Sequence, residues 1–251
     1  MQPRDLAWDG CLNVRELGGL PTRDGGETRL GAVVRADSVR QLSDDGWQSL
    51  VDHGVLTVVD LRGHDERADD PPAELPVEVV HIPFFESRDD ELQEMAKELD
   101  AAVKAAPDVS TATRDVYLIF LERFRANIAA AVRAVAHAPA GGVVIHCVGG
   151  KDRTGLLSAF LLHLAGVADH EIAADYALSE DRLRPRHEAW FARAESEEDL
   201  ERLRRIAQTP AASMRGVFAE LDHRYGSVEA YLRSAGVSDE ELGLVRARLR
   251  G

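Results

Sequence analysis

The chain has 251 residues, with 30 basic and 44 acidic side chains and a formal net charge of −14; 45% of it is hydrophobic and 29% charged. That composition matches a globular chain and excludes a disordered one, and the negative balance argues against nucleic-acid binding, which needs a basic surface. Two cysteines, Cys11 and Cys147, are too few for a disulfide framework, and no apolar run reaches the ~18 residues of a membrane span, so no stable membrane insertion is expected.

The first third reads as short strands and turns. Gly18-Gly19 and Asp24-Gly25-Gly26 are turn signals. Ala32 to Arg35 predicts a short strand. Asp44 to His53 predicts a helix, with Trp47, Leu50 and Val51 at i, i+3, i+4. Val55 to Asp60 is almost all apolar or β-branched, which suits a strand buried on both faces. Val77 to Ile82 predicts another strand, closed by Pro83.

From there the pattern turns helical. Asp89 to Ala106 is charged and Ala-rich and predicts a weakly anchored surface helix. Asp115 to Ala136 predicts one long helix, with Leu118, Leu121, Ile128, Val132 and Val135 for the core. Val143-Val144-Ile145 predicts a short buried strand, and Thr154 to Leu164 an apolar helix soon after it. Further helices are expected around 169–179, 197–206, 214–223, 228–233 and 239–249. Strands alternating with helices, then a helical tail, predict an α/β fold with a mostly parallel central sheet flanked by helices.

The informative run is Val143-Val144-Ile145-His146-Cys147-Val148-Gly149-Gly150-Lys151-Asp152-Arg153-Thr154-Gly155. With 27 arginines in the chain, an arginine six places after a cysteine carries little weight alone. Context gives it weight. A buried strand delivers the cysteine to its carboxyl end, where open α/β sheets bind ligands. The glycines let the backbone turn and approach an anion closely. The next helix aims its unpaired N–H groups and dipole at the same point. Such surroundings lower a cysteine pKa to roughly 3.5–7.5, which makes a nucleophile at neutral pH. Arg153 presents a fork for two phosphate oxygens, Lys151 adds a second cation, and Thr154 can cap the helix. No metal or cofactor is needed to neutralise a phosphate so held.

The run His146-Cys147-x-x-Gly150-Lys151-Asp152-Arg153-Thr154-Gly155 resembles the phosphate loop of the cysteine-dependent phosphatases, in the form found in bacterial tyrosine phosphatases of the mycobacterial protein tyrosine phosphatase B type. Three more segments resemble that family. Asn13-Val14-Arg15-Glu16 is similar to its Asn-x-Arg-Asp motif, with Glu16 in place of Asp. Asp60-Leu61-Arg62 is similar to a strand-end motif, and Tyr225-Gly226-Ser227 with Tyr231-Leu232 and Gly236 to its C-terminal helices. The resemblance implies one catalytic domain over residues 1–251 with a tyrosine-phosphatase-like fold. It implies Cys147 as nucleophile and residues 148–154 as the phosphate cradle: Val148, Gly149, Gly150, Lys151, Asp152, Arg153 and Thr154. Its substrates would be phosphorylated proteins, with phosphotyrosine and also phosphoserine/threonine, or phosphoinositides.

The leaving oxygen needs a proton, normally from a positioned carboxylic acid. Asp152 is favoured, as the resemblance suggests. Glu86, in Pro83-Phe84-Phe85-Glu86, is the alternative, followed by Asp89 and Asp90. Asn13 and Arg15 are read as braces of the loop, His146 as its hydrogen-bonded support, Asp60 with Arg62 as a strand-end ion pair, and Cys11 as inert. Residues 86–107 are expected to form a helical lid. A phosphoinositide phosphatase is the main rival reading, and a catalytically silent phosphate-binding module a lesser one. The start Met1-Gln2-Pro3-Arg4-Asp5 lacks signal-peptide order. A cytoplasmic location is therefore the default expectation, with export by a route without a cleaved signal left open.

Overall fold

The computed structural model describes residues 4–68, 77–85 and 89–250, with backbone only for 89–92. Its centre is a five-stranded sheet. In chain order the strands are β1 (Arg15–Glu16), β2 (Val33–Ala36), β3 (Val55–Asp60), β4 (Glu78–His81) and β5 (Gly142–His146). Spatially they run β1-β2-β5-β3-β4. All pairings are parallel except β1 with β2, so the sheet is mostly parallel, as the alternation of elements implied.

β5 is the central strand, and all five of its residues are buried. Its neighbours are nearly as apolar, and alternation divides their side chains between two cores. Val33, Val59, Val143 and Ile145 enter the larger core. Val34, Val58 and Val144 enter the smaller one, with Trp8, Leu42 and Leu50. Leu50 comes from α1 (Asp44–Asp52), whose first turn is capped by Ser43 accepting from Gly46 N–H.

A five-residue helix, α2 (His64–Ala68), follows β3. Next come α3 (Asp89–Ala105), α4 (Val109–Arg123) and α5 (Arg125–His137). The single helix expected over 115–136 is therefore two. The chain breaks at Phe124, whose φ of −110° and ψ of 27° leave the helical region. No glycine or proline stands there, and the apolar spacing runs on across the break. Tertiary packing sets it: Phe124 is buried, with ring contacts to Phe85 and Phe120. α4 also starts six residues earlier than expected, where the Asp108 carboxylate accepts from Thr111 N–H at 2.8 Å.

The helix after β5, α6 (Arg153–Leu164), has ten buried residues and packs in the larger core. The C-terminal part is helical, with α7 (Asp169–Arg182), α8 (Arg184–Phe191), α9 (Glu197–Ala207), α10 (Ala211–Tyr225), α11 (Val228–Ser234) and α12 (Asp239–Arg250). β1, α2 and α8 had no counterpart in the sequence reading. No helix among the described residues is long and apolar enough to cross a membrane.

Candidate active site

Cys147 follows the last residue of β5, and α6 begins at Arg153, so residues 147–152 form a tight loop at the carboxyl end of the central strand. Its neighbours claim the loop carbonyls. Val148 O accepts from Ser38 N–H at 3.0 Å and Arg186 Nη1 at 3.2 Å. Asn13 Nδ2 donates to Gly149 O at 3.0 Å and to Gly150 O at 3.1 Å. Arg35 Nη2 donates to Gly150 O at 2.8 Å. In a planar trans peptide the N–H points away from its C=O. The N–H groups of Gly149, Gly150 and Lys151 are therefore turned the opposite way. None from Val148 to Asp152 donates to a protein group among the described residues.

Gly150 makes this turn with φ of +63°, and a Cβ there would lie 2.3 Å from Ala36 O. Both facts restrict the position to glycine. Cys147 is 2% exposed at the base of the loop.

The braces are themselves held by charge. Asp37 accepts from Asn13 N–H at 2.9 Å and from Arg186 Nη2 at 2.7 Å. Arg15 touches the loop only through Asn13, donating to its Oδ1 at 2.6 Å. Arg15, Arg35 and Arg4 converge on Asp175 of α7, at 3.0, 2.7 and 2.6 Å. Burial pushes the Asp175 carboxyl up, but the three guanidinium groups outweigh it and hold it far below the usual range. Burial and the neighbouring Arg35 pull Arg15 down to about 9, against the pull of Asp175.

At the opposite rim, Arg153 meets Glu66 of α2. Its Nη2 donates to Glu66 Oε1 at 2.7 Å, its Nη1 to Glu66 Oε2, and Nη1 reaches Leu61 O at 3.5 Å. Burial lowers the guanidinium's pKa, but Glu66 more than restores it, so the group is charged at any working pH. Burial also raises the Glu66 carboxyl, and the bonds from Arg153 and Gly63 N–H reverse that, so it lies below its ordinary value. Nε and the second Nη2 proton have no partner among the described residues. They form the side fork of the guanidinium, which suits two phosphate oxygens.

The expected strand-end pair is present, with Arg62 Nη2 2.9 Å from Asp60 Oδ2. His146 Nδ1 lies 3.2 Å from Cys147 O, and its Nε2 lies 3.6 Å from Asp60 Oδ1. Burial lowers the imidazole pKa, with Asp60 pulling the other way.

Asp152 stands just before α6, yet its side chain makes no capping bond. The Tyr117 hydroxyl donates to its Oδ1 at 2.6 Å instead. The carboxylate is 45% exposed beside a cavity of about 590 Å³, whose lining includes Val103, Val116, Ile206, Arg205, Lys151 and Asp152. Lys151 bends away, donating to the Ile206 carbonyl, with its Nζ 3.7 Å from Asp152 Oδ1. Thr154 does not cap the helix; it lies in the first turn with its hydroxyl buried and without a protein partner. Gly155 packs against Tyr176, where a Cβ would sit 3.0 Å from the ring.

Cys11 donates to Ser38 O at 3.4 Å, and burial followed by the Asp37 charge pushes its thiol well up, which makes it a poor nucleophile. Glu86 lies outside the described residues, as do the side chains of Asp89 and Asp90. The sequence reading missed the braces Arg35, Asp37, Asp175 and Arg186, and also Glu66 and Tyr117. Glu66 follows the Asp60-Leu61-Arg62 segment closely, which was a usable signal; Tyr117 had only its position on an apolar stripe.

A family model described as the tyrosine phosphatase family matches residues 6–251. The triple specificity protein phosphatase PtpB of Mycobacterium tuberculosis is 31% identical over 277 residues, covering 96% of this chain and 100% of that one. A tyrosine-protein phosphatase of Nostoc commune is 29% identical over 225 residues, covering 87% of this chain and 74% of that one. A loop of unclaimed amides around a cysteine, closed by an arginine, is thus joined to similarity along nearly the whole length: the chain belongs to the tyrosine phosphatase family.

Proposed function

We propose that the protein hydrolyses phosphotyrosine, and phosphoserine/threonine besides, through a phosphocysteine intermediate on Cys147. One observation carries this reading: every carbonyl from Val148 to Gly150 is held from outside, so the loop amides are free to bind an anion above the sulfur.

In the first step the Cys147 sulfur attacks phosphorus in line. The S–P bond forms as the P–O bond to the leaving group breaks. The equatorial oxygens lie among the N–H groups of 148–152 and the side fork of Arg153, which neutralise charge without reorganising. Thr154 keeps a buried hydroxyl available nearby. Asp152 gives its proton to the departing oxygen. In the second step water attacks phosphorus, Asp152 takes its proton, the S–P bond breaks, and phosphate leaves.

Cys147→Ser is expected to abolish turnover of an aryl phosphate with an unchanged melting temperature, and retained turnover would refute the covalent route. Asp152→Asn should slow poor leaving groups far more than good ones, by roughly 100-fold or more.

A phosphoinositide substrate has one observation in its favour. The 590 Å³ cavity beside Asp152 is lined by Arg202 and Arg205 as well as Lys151. Lys151, however, is committed to the Ile206 carbonyl. The phosphotyrosine reading expects the higher kcat/KM on a phosphotyrosine peptide; a higher value on a phosphoinositide would reverse the order.

A further inference from the structure

We propose that Tyr117 is a positioning residue for proton delivery, holding one oxygen of Asp152 so that the other faces the leaving group. This rests on the reading of Asp152 as the general acid.

Asp152 occupies a position where an aspartate ordinarily folds back to cap its own helix. Here it makes no capping bond, and the Tyr117 hydroxyl takes Oδ1 at 2.6 Å. Lys151 Nζ, 3.7 Å away, lies on that same oxygen. No protein group among the described residues donates to Oδ2. One hydrogen bond and a nearby cation at one oxygen, with no donor among the described residues at the other, make the carboxyl asymmetric. The proton then belongs on Oδ2, the oxygen free to reach the leaving group.

The Tyr117 hydroxyl is fixed from behind. It lies 2.8 Å from the Tyr176 hydroxyl. Since the Tyr117 proton is spent on Asp152, Tyr176 must supply the proton in that second bond. The chain therefore runs Tyr176 to Tyr117 to Asp152, and each bond polarises the next. Both phenols are buried, at 2% and 1% exposure, and the rings meet edge to face at 6.2 Å. Burial and the Asp152 charge push both hydroxyls well above their ordinary range, so each acts as a donor and not as an anion. The Tyr176 ring also packs on Gly155 in the first turn of α6. A rigid wall of two tyrosines thus sets the torsion of an otherwise half-exposed carboxylate.

The test compares kcat on phenyl phosphate, a poor leaving group, with kcat on an aryl phosphate of acidic phenol, for wild type, Asp152→Asn, Tyr117→Phe and Tyr176→Phe. Tyr117→Phe keeps the buried ring and removes only the donor. It should lower kcat on phenyl phosphate by roughly tenfold and spare the activated substrate, with KM and melting temperature little changed. Tyr176→Phe should act in the same direction but more weakly, and it also serves if Tyr117→Phe proves unstable. The Asp152→Asn, Tyr117→Phe double variant should be no slower than Asp152→Asn. If Asp152→Asn is graded by leaving group while the tyrosine variants lose both substrates equally, or neither, the inference is overturned and the acid assignment stands. If Asp152→Asn itself is ungraded, the acid assignment fails and the role of Tyr117 falls with it.

Discussion

Arg153 has two donor forks, and how they are divided decides what Glu66 does. The end fork goes to Glu66 and the side fork stays unclaimed, so the carboxylate aims the guanidinium without consuming the face that substrate would use. Charge-assisted hydrogen bonds are worth about 1.5–3 kcal/mol, and with Glu66 over a third exposed the low end applies. Glu66→Gln is therefore expected to lower kcat/KM on an aryl phosphate by roughly tenfold, mainly through KM, in initial-rate assays; an unchanged or raised kcat/KM would contradict that role. Cys147, Asp152 and Arg153 could be grouped as candidates from the sequence because one short segment carries all three. Glu66 and Tyr117 meet the loop from 87 and 35 residues away, and no local pattern encodes such a meeting. Lys151 was read as a second cation from its type alone, and only the approach of α9 reveals its commitment to Ile206.

Among the elements, β1, β2 and α7 supply the frame that turns the loop amides inward, through Arg15, Arg35 and Asp175. Removing one partner from a buried ion cluster typically costs about 3–5 kcal/mol. Asp175→Asn should lose stability on that scale in urea unfolding, and a loss under about 1 kcal/mol would show the cluster to be dispensable. The end of β5 adds a pH dependence. His146 is buried with its pKa below the ordinary value near 6.5, so between the two values the unfolded chain binds more protons than the folded one. Stability then rises with pH through that window and falls as acid is added below about pH 6.5. His146→Asn should flatten that slope in denaturant titrations, and an unaltered slope would exclude His146 as its source. The long helical pattern over 115–136 hid the break at Phe124 because packing, and not a breaker residue, makes it. α8 went unread because Arg-Pro-Arg-His-Glu offers no apolar stripe, and β1 because two residues are too few for a period.

Across the whole molecule, burial is steeply uneven. Ten of the twelve residues of α6 are buried, whereas none from 93 to 105 in α3 is. Local opening follows that gradient. Amide exchange is therefore expected to be fast over 93–105 and slow over 156–162, and equal protection would sink the lid expected for that stretch. The α/β class and the burial of the 143–145 strand were readable from apolar runs and their alternation with helices. The strand order β1-β2-β5-β3-β4 was not, since it pairs segments more than 80 residues apart. The account stands on a covalent step at one sulfur. The direct measurement is rapid acid quench during turnover of an aryl phosphate, followed by intact-mass and peptide mapping of the enzyme. One phosphoryl group is expected, on the peptide carrying Cys147, and none in Cys147→Ser. Turnover with no phosphoryl group on that peptide, or turnover surviving in Cys147→Ser, would contradict the account.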